Sequence, residues 1–95
     1  MAAYLIVQAK VTDWEKFSEY LKHVPGVIAR YQGHYLARGG EIITLEGEEE
    51  ALRVVLIEFP SLAKAKEWYN SDEYLQIKML RTGATSASLI AVEGC

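Results

Sequence analysis

Apolar and polar positions alternate along residues 4–11. Leu5, Val7, Ala9 and Val11 form one face, and Tyr4, Ile6, Gln8 and Lys10 form a more mixed one. That period of two predicts a strand whose better apolar face meets helices. The period then changes. Trp14, Phe17, Leu21, Val24 and Ile28 recur at steps of three and four, the stripe of a long helix running to about Tyr31. Residues 12–15 read T-x-x-E, a capping box, with Asp13 as an alternative cap. Pro25 leaves the carbonyl of Leu21 without its helical partner, so a kink is expected there, eased by Gly26.

Gln32-Gly33 ends that helix. Residues 34–38 follow as a second strand, with His34, Leu36 and Arg38 on one face and Tyr35 and Ala37 on the other. Gly39-Gly40 reads as a bulge or tight turn, residues 42–45 as a short strand beyond it, and the acidic run 48–50 as a solvated loop. Residues 53–59, RVVLIEF, are an almost unbroken β-branched and aromatic run, expected in a strand buried on both faces. Pro60 ends it, because proline cannot donate to a sheet ladder. Ser61 is placed to cap a helix carrying Leu62, Ala65 and Trp68 or Tyr69. Asn70 and Ser71 interrupt that helix. Ser71 can cap a second one, with Asp72 and Glu73 in the first turn where the helix dipole favours acids, and Gly83 stops it. Residues 86–92 form the last strand, with Leu89 and Ala91 on one face and Ile90 and Val92 on the other.

The order strand, helix, strand, strand, helix pair, strand is two β-α-β units. It predicts an α+β fold, the ferredoxin-like plait (β-α-β-β-α-β), in a single domain over residues 1–95. Helices cover one face of its antiparallel sheet. The other face would stay bare unless a second copy covered it, and two-fold symmetry makes a homodimer stacking these faces the simplest assembly. A dimeric α/β barrel is the expectation. Composition agrees: 95 residues with 51% hydrophobic content are rich for so short a chain, and part of that surplus is expected at a subunit interface or around a pocket.

Charge and composition narrow the partners. A net charge of −3 and a pI of about 5.3 argue against nucleic acid, which calls for a basic face. No apolar run approaches the roughly 20 residues of a membrane span. The opening MAAYLIVQAK lacks a basic leader and has too short an apolar run for a signal peptide. Cys95, the single cysteine, cannot form an internal disulfide, which suits a cytoplasmic setting.

Among the groups able to do chemistry, Arg38 stands first: a guanidinium can hold a carboxylate or phenolate through two parallel hydrogen bonds. The alternative is an ion pair with Glu58 or Glu41. Arg81 carries the same two readings, with a surface role ahead. Glu58, a carboxylate on a central strand, needs a partner or the strand end. Trp68, Tyr69 and Tyr74 could wall a flat apolar ligand, against core packing, which is favoured for Trp68. His23 and His34 titrate near neutrality and either could be a general base, as could Tyr74 move a proton; a lone histidine is more often structural. Their spacing shows no metal-ligand pattern, no cysteine is near, and no glycine-rich phosphate loop opens a helix, so neither a metal nor a cofactor is expected.

The segments RYQGHYLARGGE (30–41), RVVLIEFPSLAKAKEWYNSDEY (53–74) and LIAVEG (89–94) resemble the short bacterial proteins of domain of unknown function 1330. The shared motifs are Tyr35, Arg38-Gly39-Gly40, Glu58-Phe59-Pro60-Ser61, Trp68-Tyr69, Ser71, Tyr74 and Arg81. Where many relatives carry proline after the serine, this chain has Asp72, and both suit a first helical turn. The resemblance implies the dimeric α/β barrel superfamily. That superfamily holds cofactor-free monooxygenases, muconolactone-type isomerases, haem-degrading enzymes and stress-response proteins, generally with a pocket between sheet and helices. Three readings follow: a cofactor-independent isomerase or monooxygenase acting on an aromatic or conjugated acid clamped by Arg38, a binding protein with the same pocket and no turnover, and a structural dimer whose pocket its own side chains fill.

Overall fold

The computed structural model describes residues 1–48 and 52–95. In chain order the elements are β1 (Ala3–Val11), α1 (Trp14–Arg30), β2 (His34–Arg38), β3 (Arg53–Phe59), α2 (Leu62–Tyr69), α3 (Asp72–Lys78), a 3-10 turn (Met79–Arg81) and β4 (Thr85–Glu93). The strands form one open sheet in the order β2-β3-β1-β4, every neighbouring pair antiparallel. This is the ferredoxin-like plait. Among the described residues no helix is long and apolar enough to cross a membrane.

Local chemistry sets the helix boundaries. Of the two candidate caps, Asp13 starts α1 by accepting from the Lys16 N–H at 3.1 Å, while the Thr12 hydroxyl donates to the Ala84 carbonyl. Helix α1 continues through Pro25. Its buried stripe is Phe17, Tyr20, Val24, Val27 and Ile28. Trp14, expected in the stripe, is 57% exposed. Ser61 and Ser71 cap α2 and α3, accepting from the N–H groups of Lys64 and Tyr74. The Ser71 hydroxyl also donates to the Trp68 carbonyl, which ties the end of α2 to the start of α3.

Two strand expectations are corrected. Residues 42–45 form no strand: Ile43 and Leu45 are 73% and 89% exposed, and no described strand lies beside them to supply ladder partners. The bulge sits at Leu36 rather than at Gly39-Gly40, because the β2–β3 register shifts between Tyr35 and Ala37. The extra residue reverses the alternation behind it, so Arg38 lies opposite Val55 on the same face as Tyr35, not on the face of His34. Gly39 follows with φ +67, and its N–H donates to the Val54 carbonyl. The acidic run of residues 48–50 falls largely outside the described residues; Glu48 is exposed.

The core lies between the sheet and the helices. Opposed positions on that face form rows across the strands: Tyr35, Ile57, Leu5 and Ala91, then Arg38, Val55, Val7 and Leu89, then Arg53, Ala9 and Ala87. Helices α1, α2 and α3 close over these rows with Phe17, Val24, Ile28, Trp68 and Tyr74. The opposite face carries Leu56, Ile6 and Ile90 in one row and no helix.

Candidate functional site

Between the sheet rows and α1 lies a cavity of about 50 Å³. Its floor is Leu5, Val7, Val55, Ile57 and Leu89, and its roof includes Phe17, Val24 and Trp68. The polar part of this wall is distinctive: Arg38, Arg53, Arg81, Tyr20, Tyr35 and Thr85, without a carboxylate. An open groove of about 870 Å³ adjoins it, sharing Leu5, Arg81, Ala87 and Leu89 and adding Lys66, Tyr69 and Lys78, again without an acid. The two spaces therefore bring five cationic residues and no described anion to one side of a chain whose net charge is −3. Among the described residues none of the three arginines has a salt-bridge partner.

Each arginine is placed by its element. The bulge at Leu36 puts Arg38 on the helix-bearing face, where it stays exposed and its guanidinium stacks over the Tyr35 ring at 4.4 Å. Arg53 opens β3 in phase with Val55, Ile57 and Phe59, so strand alternation alone puts it on the helix face. It packs against Gly39, where an added Cβ would meet the guanidinium Nη1 at 2.5 Å. The 3-10 turn carries Arg81, half-buried, whose Nη2 donates to the Tyr74 hydroxyl at 3.5 Å and whose guanidinium lies 5.6 Å from the Tyr20 ring centre. Arg53 and Arg81 are partly buried and Arg38 is exposed; a bound anion would be attracted by all three, most strongly where screening water is reduced.

Tyr20 and Tyr35 keep their phenol protons at neutral pH. Burial, with the neighbouring Tyr74 adding to it, pushes the Tyr20 hydroxyl far above the ordinary phenol range. Burial also raises Tyr35, against the opposing pull of Arg38 and Arg53. An unfolded tyrosine ionises near pH 10, and the folded Tyr20 resists ionisation until well beyond that. Its contribution to stability is therefore whole below about pH 10 and declines as the pH climbs above it. Urea midpoints should fall between about pH 10 and pH 11, and Tyr20→Phe should fall less steeply over that interval; parallel declines would contradict this assignment.

The residues expected to transfer protons lie elsewhere. His23 is exposed on α1 and lines neither space. His34 points to the opposite sheet face, its Nε2 3.0 Å from the Glu58 carboxylate. Glu58 is thus paired across β2–β3 and separated by the sheet from Arg38. Tyr74 is 0% exposed behind the cavity wall, its hydroxyl 2.9 Å from that of Tyr20. Tyr69 accepts from Lys78 Nζ at 2.6 Å at the groove. Trp68 is 1% exposed, packed against Phe59 and Tyr74, and also in the cavity wall. Sequence reasoning passed over Arg53, Tyr20 and Tyr35 as site residues, although Arg53 shares the parity of the buried β3 positions and Tyr20 follows Phe17 at helical spacing. Among the described residues no three His, Cys, Asp or Glu side chains gather as a metal site would require.

Residues 2–95 match the family described as Domain of unknown function (DUF1330). Solved structures share the fold, among them the three that follow. A protein of unknown function from Rhodopseudomonas palustris superposes with TM-score 0.82 at 19% identity, over 99% of this chain and 82% of that one. SnoaB, a cofactor-independent oxygenase from Streptomyces nogalater, gives 0.70 at 8% identity, over 99% and 93%. A dimeric protein of unknown function and ferredoxin-like fold from Bacteroides fragilis gives 0.64 at 17% identity, over 98% and 96%. No curated protein matches the chain.

Proposed function

Because the chain belongs to the DUF1330 family, whose description assigns no activity, we propose its function from the cavity: it binds a small organic acid, as the anion, between its sheet and its helices. The observation that carries this reading is the wall itself, with three arginines, two tyrosines, one threonine and no described carboxylate around an otherwise apolar space. Apolar walls with a few convergent polar groups are the usual form of a ligand site, and guanidinium groups suit carboxylates and phenolates. Size divides the work. A water needs roughly 10–15 Å³ and a cavity that holds benzene is roughly 150 Å³, so 50 Å³ accepts a headgroup, and the body of the acid lies in the adjoining groove.

Turnover would be of the cofactor-independent isomerase or monooxygenase type. The arginines would then stabilise an enolate or phenolate as its charge develops, an electrostatic form of catalysis that uses no cofactor. One observation favours binding without turnover: among the described residues, no histidine or carboxylate lines the cavity to act as a general base. The protein acts as a cytoplasmic homodimer, the bare sheet face of one copy on that of the other.

Calorimetric titration tests the site. Caproate should bind and hexylamine should not. Arg38→Ala and Arg81→Ala should each weaken caproate by about 10- to 100-fold, the value of a charge-assisted hydrogen bond. Undiminished binding in both variants, or hexylamine binding as well as caproate, would overturn the reading.

A further inference from the structure

Resting on that anion-binding reading, we propose that the site is built for carboxylic acids carrying an uncharged acceptor oxygen on the carbon next to the carboxylate, and that the indole N–H of Trp68 recognises that oxygen. Trp68 is 1% exposed, and its Nε1 is the one fully buried side-chain polar atom among the described residues that has no hydrogen-bond partner. Buried indole N–H groups usually find an acceptor, because an unpaired donor away from water is costly. The rings around Trp68 do not supply one. Phe59 has no acceptor. The Tyr74 hydroxyl is engaged with Tyr20 and Arg81, and the Tyr69 hydroxyl with Lys78. Trp68 is among the residues that line the cavity, and a bound acid would bring its acceptor against an indole N–H that is closed to water in the empty site.

Volume and chemistry meet at this point. The cavity of about 50 Å³ offers roughly four water-sized positions. A carboxylate with an oxygen on the adjoining carbon places three oxygens close together, and in an α-oxo acid they share a plane. Two suit a guanidinium fork, and the third is a neutral acceptor for an N–H donor. The remainder of the acid leaves past Leu89 and Ala87, which the cavity and the groove share. A site made only to attract negative charge has no use for the indole donor, whereas a site that reads the neighbouring oxygen leaves it unpaired when empty.

The test compares α-ketocaproate with caproate, which have the same tail and charge, on the ¹⁵N-labelled full chain. The chain has two tryptophans, and Trp14 is 57% exposed, so Trp14→Phe assigns the Trp68 indole resonance. We expect α-ketocaproate to bind about tenfold tighter, as one added hydrogen bond allows, and the Trp68 Nε1–H resonance to move downfield with it and not with caproate. In Trp68→Phe the preference between the two acids should vanish. Equal affinities with an unmoved indole resonance would overturn the inference and leave the anion site standing. Binding of neither acid to the native chain would overturn both. If Trp68→Phe fails to fold, the affinity ratio and the indole shift of the native chain decide.

Discussion

Replacing Phe59 with alanine should lower unfolding stability by about 3–5 kcal/mol, the usual loss for a fully buried phenylalanine. Phe59 is 0% exposed and stands where three elements meet. It ends β3 opposite Ala3, packs its ring 5.5 Å from that of Trp68, and approaches Gly33 so closely that an added Cβ there would lie 2.7 Å from its ring. That crowding leaves little freedom to fill the void, which puts the expected loss in the upper half of the range. Small domains hold only about 5–15 kcal/mol in all, so about a quarter or more of the total would go, with the melting temperature falling by roughly 15–40 °C. Urea denaturation at one fixed protein concentration, needed because association would contribute to stability, reads the change. Met79→Ala, at a position 72% exposed, should stay within about 0.5 kcal/mol of the native chain. A Phe59→Ala loss below about 1 kcal/mol would show that this junction does not close the core.

What could be read in advance was whatever depends on near neighbours in the chain. Leu5, Val7 and Ala9 announce β1 by alternation, and Ser61 and Ser71 are both caps because a hydroxyl three residues before an N–H is a local geometry. Arg38 fails that test. Its face depends on the bulge at Leu36, which exists only in the pairing with β3, so plain alternation put it with His34. The pattern of residues 42–45 is strand-like, yet a strand also needs a neighbour to bond to. The site shows the same division. Arg53 could have been found from its parity with Val55, but the unpartnered Trp68 indole could not, because an absent partner becomes visible only when the surrounding chain is folded. Tyr74 reads as an available hydroxyl in the sequence and is the most enclosed tyrosine in the fold.

Ile90→Asp should convert a homodimer into a folded monomer. On the bare sheet face Leu56, Ile6 and Ile90 lie in one row across β3, β1 and β4, between a row of Val54, Gln8 and Ser88 and a row of His34, Glu58, Tyr4 and Val92. An apolar centre flanked by mixed polar and apolar rows suits an interface. Ile90 is 57% and Val92 48% exposed in the single chain, whose extents are 33 × 32 × 16 Å. A face of that plan is ample for the roughly 800 Å² per partner of a standard interface. Two such sheets stacked about 10 Å apart would bury the row against itself. A carboxylate placed in its middle loses water without gaining a partner, at a cost of several kcal/mol, so dimer dissociation should rise by more than about 100-fold. Folding should survive, because the position is exposed before association. Sedimentation at micromolar protein should show the native chain at twice its 10.7 kDa and the variant at that mass, with circular dichroism unchanged. A native chain that sediments as a monomer, or a variant that dimerises as the native chain does, would remove the stacked-sheet dimer and would leave the arginine-lined cavity, on the other side of the sheet, as a property of the single chain.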